Sequence, residues 1–356
     1  MTTHVGPNAD EAVREAWTLL DAGRPYDALA LLSDRGEGRS PTFETEMVHL
    51  RHTAAVEALT RGRSAPSAPP APSTWPPVVA DLVSPPAPGR PPEVEANALD
   101  AATLSAAIVH HGCLLVRGLL PEHRAVGLTA SVDAAFAAHD AWAANDLTAV
   151  EDGPWFTPFF PRAHHRLPAT RRRWVRDGGA VWAADSPRVL SEILDAVAGT
   201  RAPAAIAGHL GEPPMMSVNK STMRRVDRAE PTWHQDGSFL GEEVRSVDLW
   251  IALSACGGES NTPGLAIVPR RIDEILPTGT HGAMFPHSIG PALVEEWADD
   301  HPIVRPVFAP GDALLFDERF LHCTGTTPHT TDRRYALELW YFSPSAYPAD
   351  LVPLLV

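Results

Sequence analysis

Cysteine is scarce in this sequence: Cys113, Cys256 and Cys323 are the only three in 356 residues. They are odd in number, far apart and contain no CxxC pair, which argues against a disulfide framework and against a thiolate zinc site. Positive charge is also short, with 29 Lys and Arg against 44 Asp and Glu and a formal net charge of −15. That balance argues against nucleic acid or an anionic membrane as a partner, because affinity for phosphate rests on clustered cations. Long apolar runs are missing, none approaching the ~20 residues that span a bilayer. The start, Met1 to Asp10, has neither the basic nor the apolar region of a signal peptide. The expectation is a soluble protein of a reducing cytoplasm.

Proline, by contrast, is abundant: 36 of 356 residues, about twice the usual ~5%. Many crowd between Ser64 and Pro92, a stretch without the backbone donors or α-region freedom for helix or sheet. It reads as an extended, semi-rigid linker. The division is a helical segment at 1–63, a linker at 64–92 and a main domain at 93–356. In the first segment Val13, Trp17 and Leu20 recur at helical spacing, Gly23-Arg24-Pro25 breaks the run, and Ala28, Leu29, Leu31 and Leu32 resume it. This hairpin is similar to one tetratricopeptide unit, with a third helix from Thr42 to about Arg61. One such unit cannot bury its own face, so it is expected to pack on the main domain or on a protein or carrier partner.

The main domain opens with a helix around Leu99–His110, an apolar strand Cys113–Leu120 and a long helix from Pro121 to Ala143. Residues 142–201 are irregular and rich in aromatics, as Trp155, Phe156, Phe159, Phe160, Trp174 and Trp182 show, and suit either the mouth of a site or satellite core. From Ile206 onward short β-type runs alternate with Gly/Pro turns: Met215–Val226, Val247–Leu253, Gly264–Pro269, Ile303–Val307, Asp312–Phe316 and Arg333–Phe342. Strand-dense sequence behind a helical start indicates a β-sandwich or barrel buttressed by helices.

The sharpest local feature is Pro231-Thr-Trp-His-Gln-Asp-Gly-Ser-Phe239. In an extended strand His234 and Asp236 share a face and Gln235 takes the other. An imidazole beside a carboxylate offers two ligands to a divalent metal, and non-haem iron(II) oxygenases complete the set with a second histidine. That partner is His322, 86 positions beyond Asp236, at the end of Pro310-Gly311-Asp312, a turn signal, and the apolar strand Ala313–Phe316. Eleven positions further stands Arg333, heading an otherwise apolar run. A guanidinium there is costly to bury without an anion, and a bidentate carboxylate is its natural partner. Arg334 points to the other face if both lie in the strand, and is the alternative. Asn219 and Lys220 precede the motif as candidate cofactor or substrate contacts. Trp233, Phe239 and Trp250 suit core packing or the pocket wall, and Ser254, Thr262 and Thr324 suit donors around the site. Cys323 points away from the ligands and reads as structural. The other histidines, including His110, His111, His164 and His165, lack metal-ligand pairing and read as surface.

These features together resemble the phytanoyl-CoA dioxygenase family of iron(II)/2-oxoglutarate oxygenases, over roughly Val94 to Phe342. The resemblance rests on the strand Cys113–Leu120, His234-x-Asp236, Trp250-Ile-Ala-Leu-Ser254 leading to Asn261-x-Pro-Gly-x-Ala-Ile-Val-Pro269, and Pro310-Gly-Asp with His322 and Arg333, in the family's order. It implies a mainly β fold with helices, a double-stranded β-helix (a cupin-like jelly roll) buttressed by α-helices, with the small helical segment in front. It further implies that His234, Asp236 and His322 hold iron(II) and that Arg333 grips the C5 carboxylate of 2-oxoglutarate; Asn219, Trp250 and Thr324 are read beside these as candidate cosubstrate contacts. The implied reaction uses O2 and couples oxidative decarboxylation of 2-oxoglutarate, to succinate and carbon dioxide, with oxidation of an unactivated C–H bond. Related halogenases lack a carboxylate at the position of Asp236, so its presence points to hydroxylation. Pro269-Arg270-Arg271-Ile272 and His322-Cys-Thr-Gly depart from the family's usual loops, so no substrate class is carried over.

High Ala, Arg and Pro with little Lys suggests a GC-rich bacterial genome and a small-molecule substrate from secondary metabolism. Arg224, Arg225, Arg270 and Arg271 suggest an anionic or polar substrate. The competing readings are a binding or scaffold protein that keeps the fold without turnover, a metal enzyme of another kind such as a cupin-type isomerase, and an oxygenase whose protein- or carrier-bound substrate docks on the N-terminal helices.

Overall fold

A computed structural model describes residues 9–33, 41–64, 75–83, 90–144, 155–161, 167, 169–227, 231–241 and 243–356. His164, His165 and much of the proline-rich stretch lie outside the described residues. The chain begins with helices α1 (Ala9–Asp21), α2 (Pro25–Ser33) and α3 (Pro41–Ser64). There follow β1 (Glu93–Glu95), α4 (Ala101–His111), β2 (Cys113–Arg117), α5 (Glu122–Ala143), α6 (Ala169–Asp177), β3 (Ala180–Trp182), α7 (Pro187–Ala198) and α8 (Ala202–Leu210). Strand-rich chain follows as β4 (Met215–Ser217), β5 (Thr222–Val226), α9 (Gly237–Leu240), β6 (Ser246–Ala252), β7 (Cys256–Gly257) and β8 (Gly264–Ile267). The last elements are α10 (Pro291–Trp297), β9 (Val307–Phe308), β10 (Ala313–Phe316), β11 (His322–Gly325), β12 (Arg334–Phe342) and β13 (Pro353–Leu355).

The strands form a jelly roll. One large sheet runs β1-β2-β10-β6-β12-β4-β13, with β5 also on β12 and β3 beyond it. Facing strands form two short pairs, β11 with β8 and β7 with β9, extended by single bridges from His234 to His322 and from Ile267 to Val304. Alternation along the large sheet separates two cores. Leu114, Val116, Leu249, Ile251, Leu337 and Leu339 face outward and pack with Leu104, Ile108, Phe136 and Ile193 of the helices. Leu115, Trp250, Leu314, Phe316 and Trp340 face inward with Leu265, Ile267 and Phe308 from the short pairs. Both faces are covered, so the strands read as continuous apolar runs rather than alternating ones.

Two turns set how the helical layer and the roll are joined. Asp100 caps α4, its Oδ1 accepting from Thr103 N at 2.8 Å, and Gly112 ends the helix at φ 84°. A Cβ at Gly112 would stand 2.4 Å from the Arg270 carbonyl oxygen, so glycine is required by both conformation and space. Gly311, at φ 94°, sits in the Pro-Gly-Asp turn with the Leu120 carbonyl oxygen 2.1 Å from where a Cβ would be. Asp312 then accepts from Gly118 N at 2.9 Å and Arg117 Nη1 at 2.7 Å, fixing β10 against β2.

Several boundaries differ from the sequence reading. The run Met215–Val226 is broken by a 3-10 turn at Val218–Lys220, and the first β-run ends at Arg117 rather than Leu120. Ile303–Val307 shrinks to the Val304 bridge and the start of β9. Of the aromatics in 142–201, Phe156, Phe159 and Trp182 are buried in the outer core, whereas Phe160 and Trp174 are exposed. Beside them Arg172 and Asp185 form a buried ion pair, Nε to Oδ2 at 2.8 Å. The three cysteines are buried and unpaired.

The N-terminal helices lie on the main domain. Arg51 Nη1 donates to Leu355 O at 2.9 Å, His52 Nδ1 bonds Pro353 O at 2.9 Å, and Arg188 of α7 reaches Glu44 at 3.1 Å. Residues 75–83 of the proline-rich stretch are laid along the same domain. The Trp75 ring is 5.2 Å from His209, and Val79 O and Asp81 bond His110 and His111. No helix among the described residues is long and apolar enough to cross a membrane.

Glu318, in the turn between β10 and β11, is buried, and its Oε2 accepts from Ser246 Oγ at 2.7 Å. Burial, and then the Asp317 charge, push its carboxyl up to about 8. The folded state therefore keeps a proton that the unfolded chain, with an ordinary Glu near ~4.3, has lost. Stability should fall as pH rises from about 4.5 to about 8, by at most ~1.4 kcal/mol per pH unit, and then level. Denaturant unfolding of Glu318→Gln across this range should lack that slope; an identical slope in the variant would place its origin elsewhere.

Candidate metal centre

The centre is built on one backbone contact. His234 N donates to His322 O at 3.0 Å and His322 N donates back to His234 O at 3.1 Å, so the two histidines are directly opposed across an antiparallel bridge. Their rings lie 4.4 Å apart between centroids. Each ring is turned by its own strand. His234 Nδ1 bonds Thr232 O at 2.8 Å and His322 Nδ1 bonds Phe320 O at 3.0 Å. A carbonyl only accepts, so both Nδ1 atoms donate, and Nε2 is the ring nitrogen that each histidine turns toward Asp236.

Asp236 completes the set. Its Oδ2 lies 3.9 Å from His234 Nε2 and 3.8 Å from His322 Nε2, and all three donor atoms fall within 4.8 Å of one another. Its Oδ1 is held by Lys220 Nζ at 3.0 Å. Burial alone would raise the Asp236 carboxyl; Lys220, then the two histidines, outweigh it and bring it down to about 2. Burial, and then His234, lower His322 to about 4. A carboxylate and a neutral imidazole are the protonation states a divalent metal needs. Lys220 is the single lysine in a chain whose other 28 Lys/Arg positions are all arginine, and it is paired with Asp236.

The intervening Gln235 faces away from the ligands, as the strand period requires, and ties down the next wall. Its Nε2 donates to Arg319 O at 2.6 Å and Glu274 O at 3.0 Å, while its Oε1 accepts from Leu276 N at 2.7 Å. The loop after β8 is thereby fastened to the metal motif.

The two arginines exchange the places expected from the sequence. Arg333 lies on the surface with its Nη2 3.0 Å from Asp227 Oδ2, because β12 begins one residue later, at Arg334. Arg334, 1% exposed, occupies the inner face, pairs across the sheet with Val226, and donates from Nη1 to Gly264 O at 2.6 Å. Its Nε has no hydrogen-bond partner among the described residues. Burial, and then Arg224 beside it, bring it down to about 10. An unsatisfied buried guanidinium in an enclosed site calls for an anion. Ala336, two residues further along the same inner face, is opposed by Ala252.

A family model for phytanoyl-CoA dioxygenase matches residues 108–335. The chain belongs to that family. It is a non-haem iron(II), 2-oxoglutarate-dependent oxygenase, and its two imidazoles and one carboxylate are the donor set that iron(II) takes in such enzymes. Solved structures of similar fold include EctD from S. alaskensis with 2-oxoglutarate and 5-hydroxyectoine, 18% identical, covering 68% of this chain and 75% of that one at a TM-score of 0.43. AviO1 from Streptomyces viridochromogenes is 18% identical, with coverage of 70% and 98% and a TM-score of 0.39. The epimerase SnoN, solved with Fe3+, alpha ketoglutarate and nogalamycin RO, is 17% identical, with coverage of 67% and 82% and a TM-score of 0.42. No curated protein matches the sequence.

Other sequence candidates fall unevenly around the oxygenase site. Thr324 shares the inner face of β11 with His322, opposite Leu265. Trp250 is buried beneath Arg334, whose guanidinium carbon lies 5.6 Å from its ring, and its Nε1 has no partner among the described residues. Asn219 Oδ1 accepts from Val352 N at 2.7 Å, so the amide oxygen holds the chain before β13. Ser254 Oγ accepts from Tyr335 N at 3.0 Å, and Trp233 packs under the loop after β8. Phe239 is exposed rather than core. Arg224, Arg225 and Arg271 are paired with Glu338, Asp133 and Asp317, and Arg270 lies over Trp297, so these four do not form a waiting anion site. Lys220 and Gln235 had no local signal for their roles, since their partners lie 16 and about 40–85 positions away.

Two outcomes follow from this geometry. Lys220→Met removes the first charge that opposes burial at Asp236, so its carboxyl should regain proton affinity. The acid limb of iron(II) binding, followed by anaerobic titration, should then move up by about one pH unit or more; an unmoved limb would mean Lys220 does not govern the ligand. Arg334→Gln should raise the 2-oxoglutarate concentration needed to develop the visible charge-transfer band by about 100-fold and erase the preference over 2-oxobutyrate, which lacks the C5 carboxylate. Arg333→Gln should stay within about twofold of the parent, and the reverse pattern would restore Arg333 as the anchor.

Proposed function

We propose that this oxygenase hydroxylates an unactivated C–H bond of a small organic molecule, of the kind made in bacterial secondary metabolism. The observation that carries the reading is the presence of Asp236 as a low-pKa carboxylate between the imidazoles of His234 and His322, with Arg334 buried on β12. When bound, iron(II) with 2-oxoglutarate and O2 supplies an oxidant strong enough for such a bond, releasing succinate and carbon dioxide.

The chain's own residues supply placement and enclosure. His234, Asp236 and His322 would hold the metal on one side and leave the other side to cosubstrate and O2. Arg334 would take the C5 carboxylate, fixing the cosubstrate's length between guanidinium and metal. Thr324, two residues after His322 on β11, would donate a hydroxyl hydrogen bond to it. Trp250 and the two facing alanines would give the cosubstrate a dry bed, which strengthens every charge interaction around it. Asp236 fills the third protein position, so no ligand place is surrendered to halide; this favours oxygen transfer.

The test is succinate release from 2-oxoglutarate with iron(II), followed by mass analysis of the product of a screened substrate under 18O2. One labelled oxygen in the product, one in succinate, and loss of both signals in His234→Ala are expected. A dehydrogenated or epimerised product carrying no label would overturn hydroxylation while leaving the enzyme class in place.

A further inference from the structure

The metal centre is open on one side. The His234 side chain is 27% exposed, against 11% for Asp236 and 10% for His322. From that ring a series of rings leads outward: Phe239 lies 6.2 Å from His234, His287 lies 5.8 Å from Phe239, and Phe285 lies 5.4 Å from His287 with planes within 9° of parallel. Phe239 is 47% exposed, Phe285 41% and the adjoining Met284 57%.

Large apolar side chains clustered in water forgo the stabilisation that burial would bring, and such patches mark binding surfaces. This one is firmly built. Phe239 stands on α9, three residues after the ligand Asp236, with Lys220 Nζ 5.0 Å from its ring centre. The carrier of the other two rings is pinned at Ser288, whose Oγ bonds both Phe285 N and Phe285 O at 3.0 Å, and at Ile289, whose N donates to Trp233 O at 2.8 Å. Both carriers are thus fastened to the segment that bears the metal ligands.

We propose that this ring series is the substrate platform, and that the substrate presents a flat, apolar ring face, an aromatic or fused-ring body, to it. The inference rests on the oxygenase reading for the place of reaction, and on the platform itself for the kind of molecule. Rings held 4.5–7 Å apart accept a further ring by offset or edge-on stacking, whereas a linear chain gains only contact area. The four arginines that suggested an anionic substrate are occupied by their own partners. A substrate lying across Phe239 would reach the metal from the His234 side.

The probe is naphthalene-2-carboxamide, with n-octanamide as its linear counterpart, added to the full-length protein carrying 2-oxoglutarate and either Mn(II) or diamagnetic Zn(II). Saturation-transfer NMR reads binding, and extra broadening of the naphthyl protons by Mn(II) reads closeness to the metal. The naphthyl amide is expected to bind about tenfold more tightly than octanamide and to be broadened by Mn(II) alone. Phe285→Ala, a surface change that leaves the core intact, and Phe239→Ala should each weaken it by up to about tenfold. Equal affinity for octanamide, unchanged binding in both variants, or binding without Mn(II) broadening would each overturn the platform. Failure of the protein to take up Mn(II) would count against the metal reading instead, and the saturation-transfer signal would still judge the rings.

Discussion

The reciprocal hydrogen bonds between His234 and His322 are the constraint on which the site depends. They join segments 88 positions apart in the chain at a single antiparallel bridge, and they leave no freedom in register. Side chains alternate along a strand, so a slip by one residue would turn an imidazole away from its partner. The carbonyls of Thr232 and Phe320 then accept from each Nδ1, which turns both Nε2 atoms toward Asp236. Ligand pairing, ring tautomer and ring orientation are therefore all set by backbone groups. The side chains have little left to adjust when a metal arrives.

The meeting of His234, Asp236 and His322 was legible in the sequence for the same reason. His-x-Asp needs only a period of two, and His322 follows a turn and an apolar strand whose limits are marked locally. The arginine was not legible to the residue. Arg333 and Arg334 are adjacent, and β12 is covered on both faces, with Tyr335, Leu337 and Leu339 outward and Ala336 and Trp340 inward. The even parity carries Glu338 among Ala336, Trp340 and Phe342, so a charged residue in it marks neither a solvent face nor the site. Only the pairing of Ala336 with Ala252 and of Arg334 with Val226 sets the phase, and that information resides in other strands.

The same limit explains the rest. Gln235 could be placed on the face away from the metal, but the loop it fastens comes about 40 residues later and carries no marker of that contact. Asn219 was read as part of a strand, whereas a 3-10 turn redirects it to the backbone of Val352. The helical pattern of the N-terminal segment was clear, and its need for a surface to cover was a matter of area. Which surface it covers follows from Arg51 and His52 meeting the carbonyls of β13, a contact spanning nearly the whole chain.

Charge inside the roll gives the arrangement its internal logic. Arg224 is ion-paired with Glu338 and Lys220 with Asp236, while burial and the nearby carboxylates raise Asp248 well above its ordinary range, which favours its neutral form. Arg334, 1% exposed and without an ion pair among the described residues, keeps an unpartnered Nε. Iron(II) brings two positive charges and 2-oxoglutarate two carboxylates, so the pair adds no net charge. Bound separately they are unequal: the metal would enter an interior that already holds an uncompensated guanidinium, and the dianion offsets both. Each should thus favour the other's binding, with Arg334 and the metal sharing one anion from opposite ends. The strand phase that buries Arg334 and exposes Arg333 is, on this view, what makes the inward end of that arrangement.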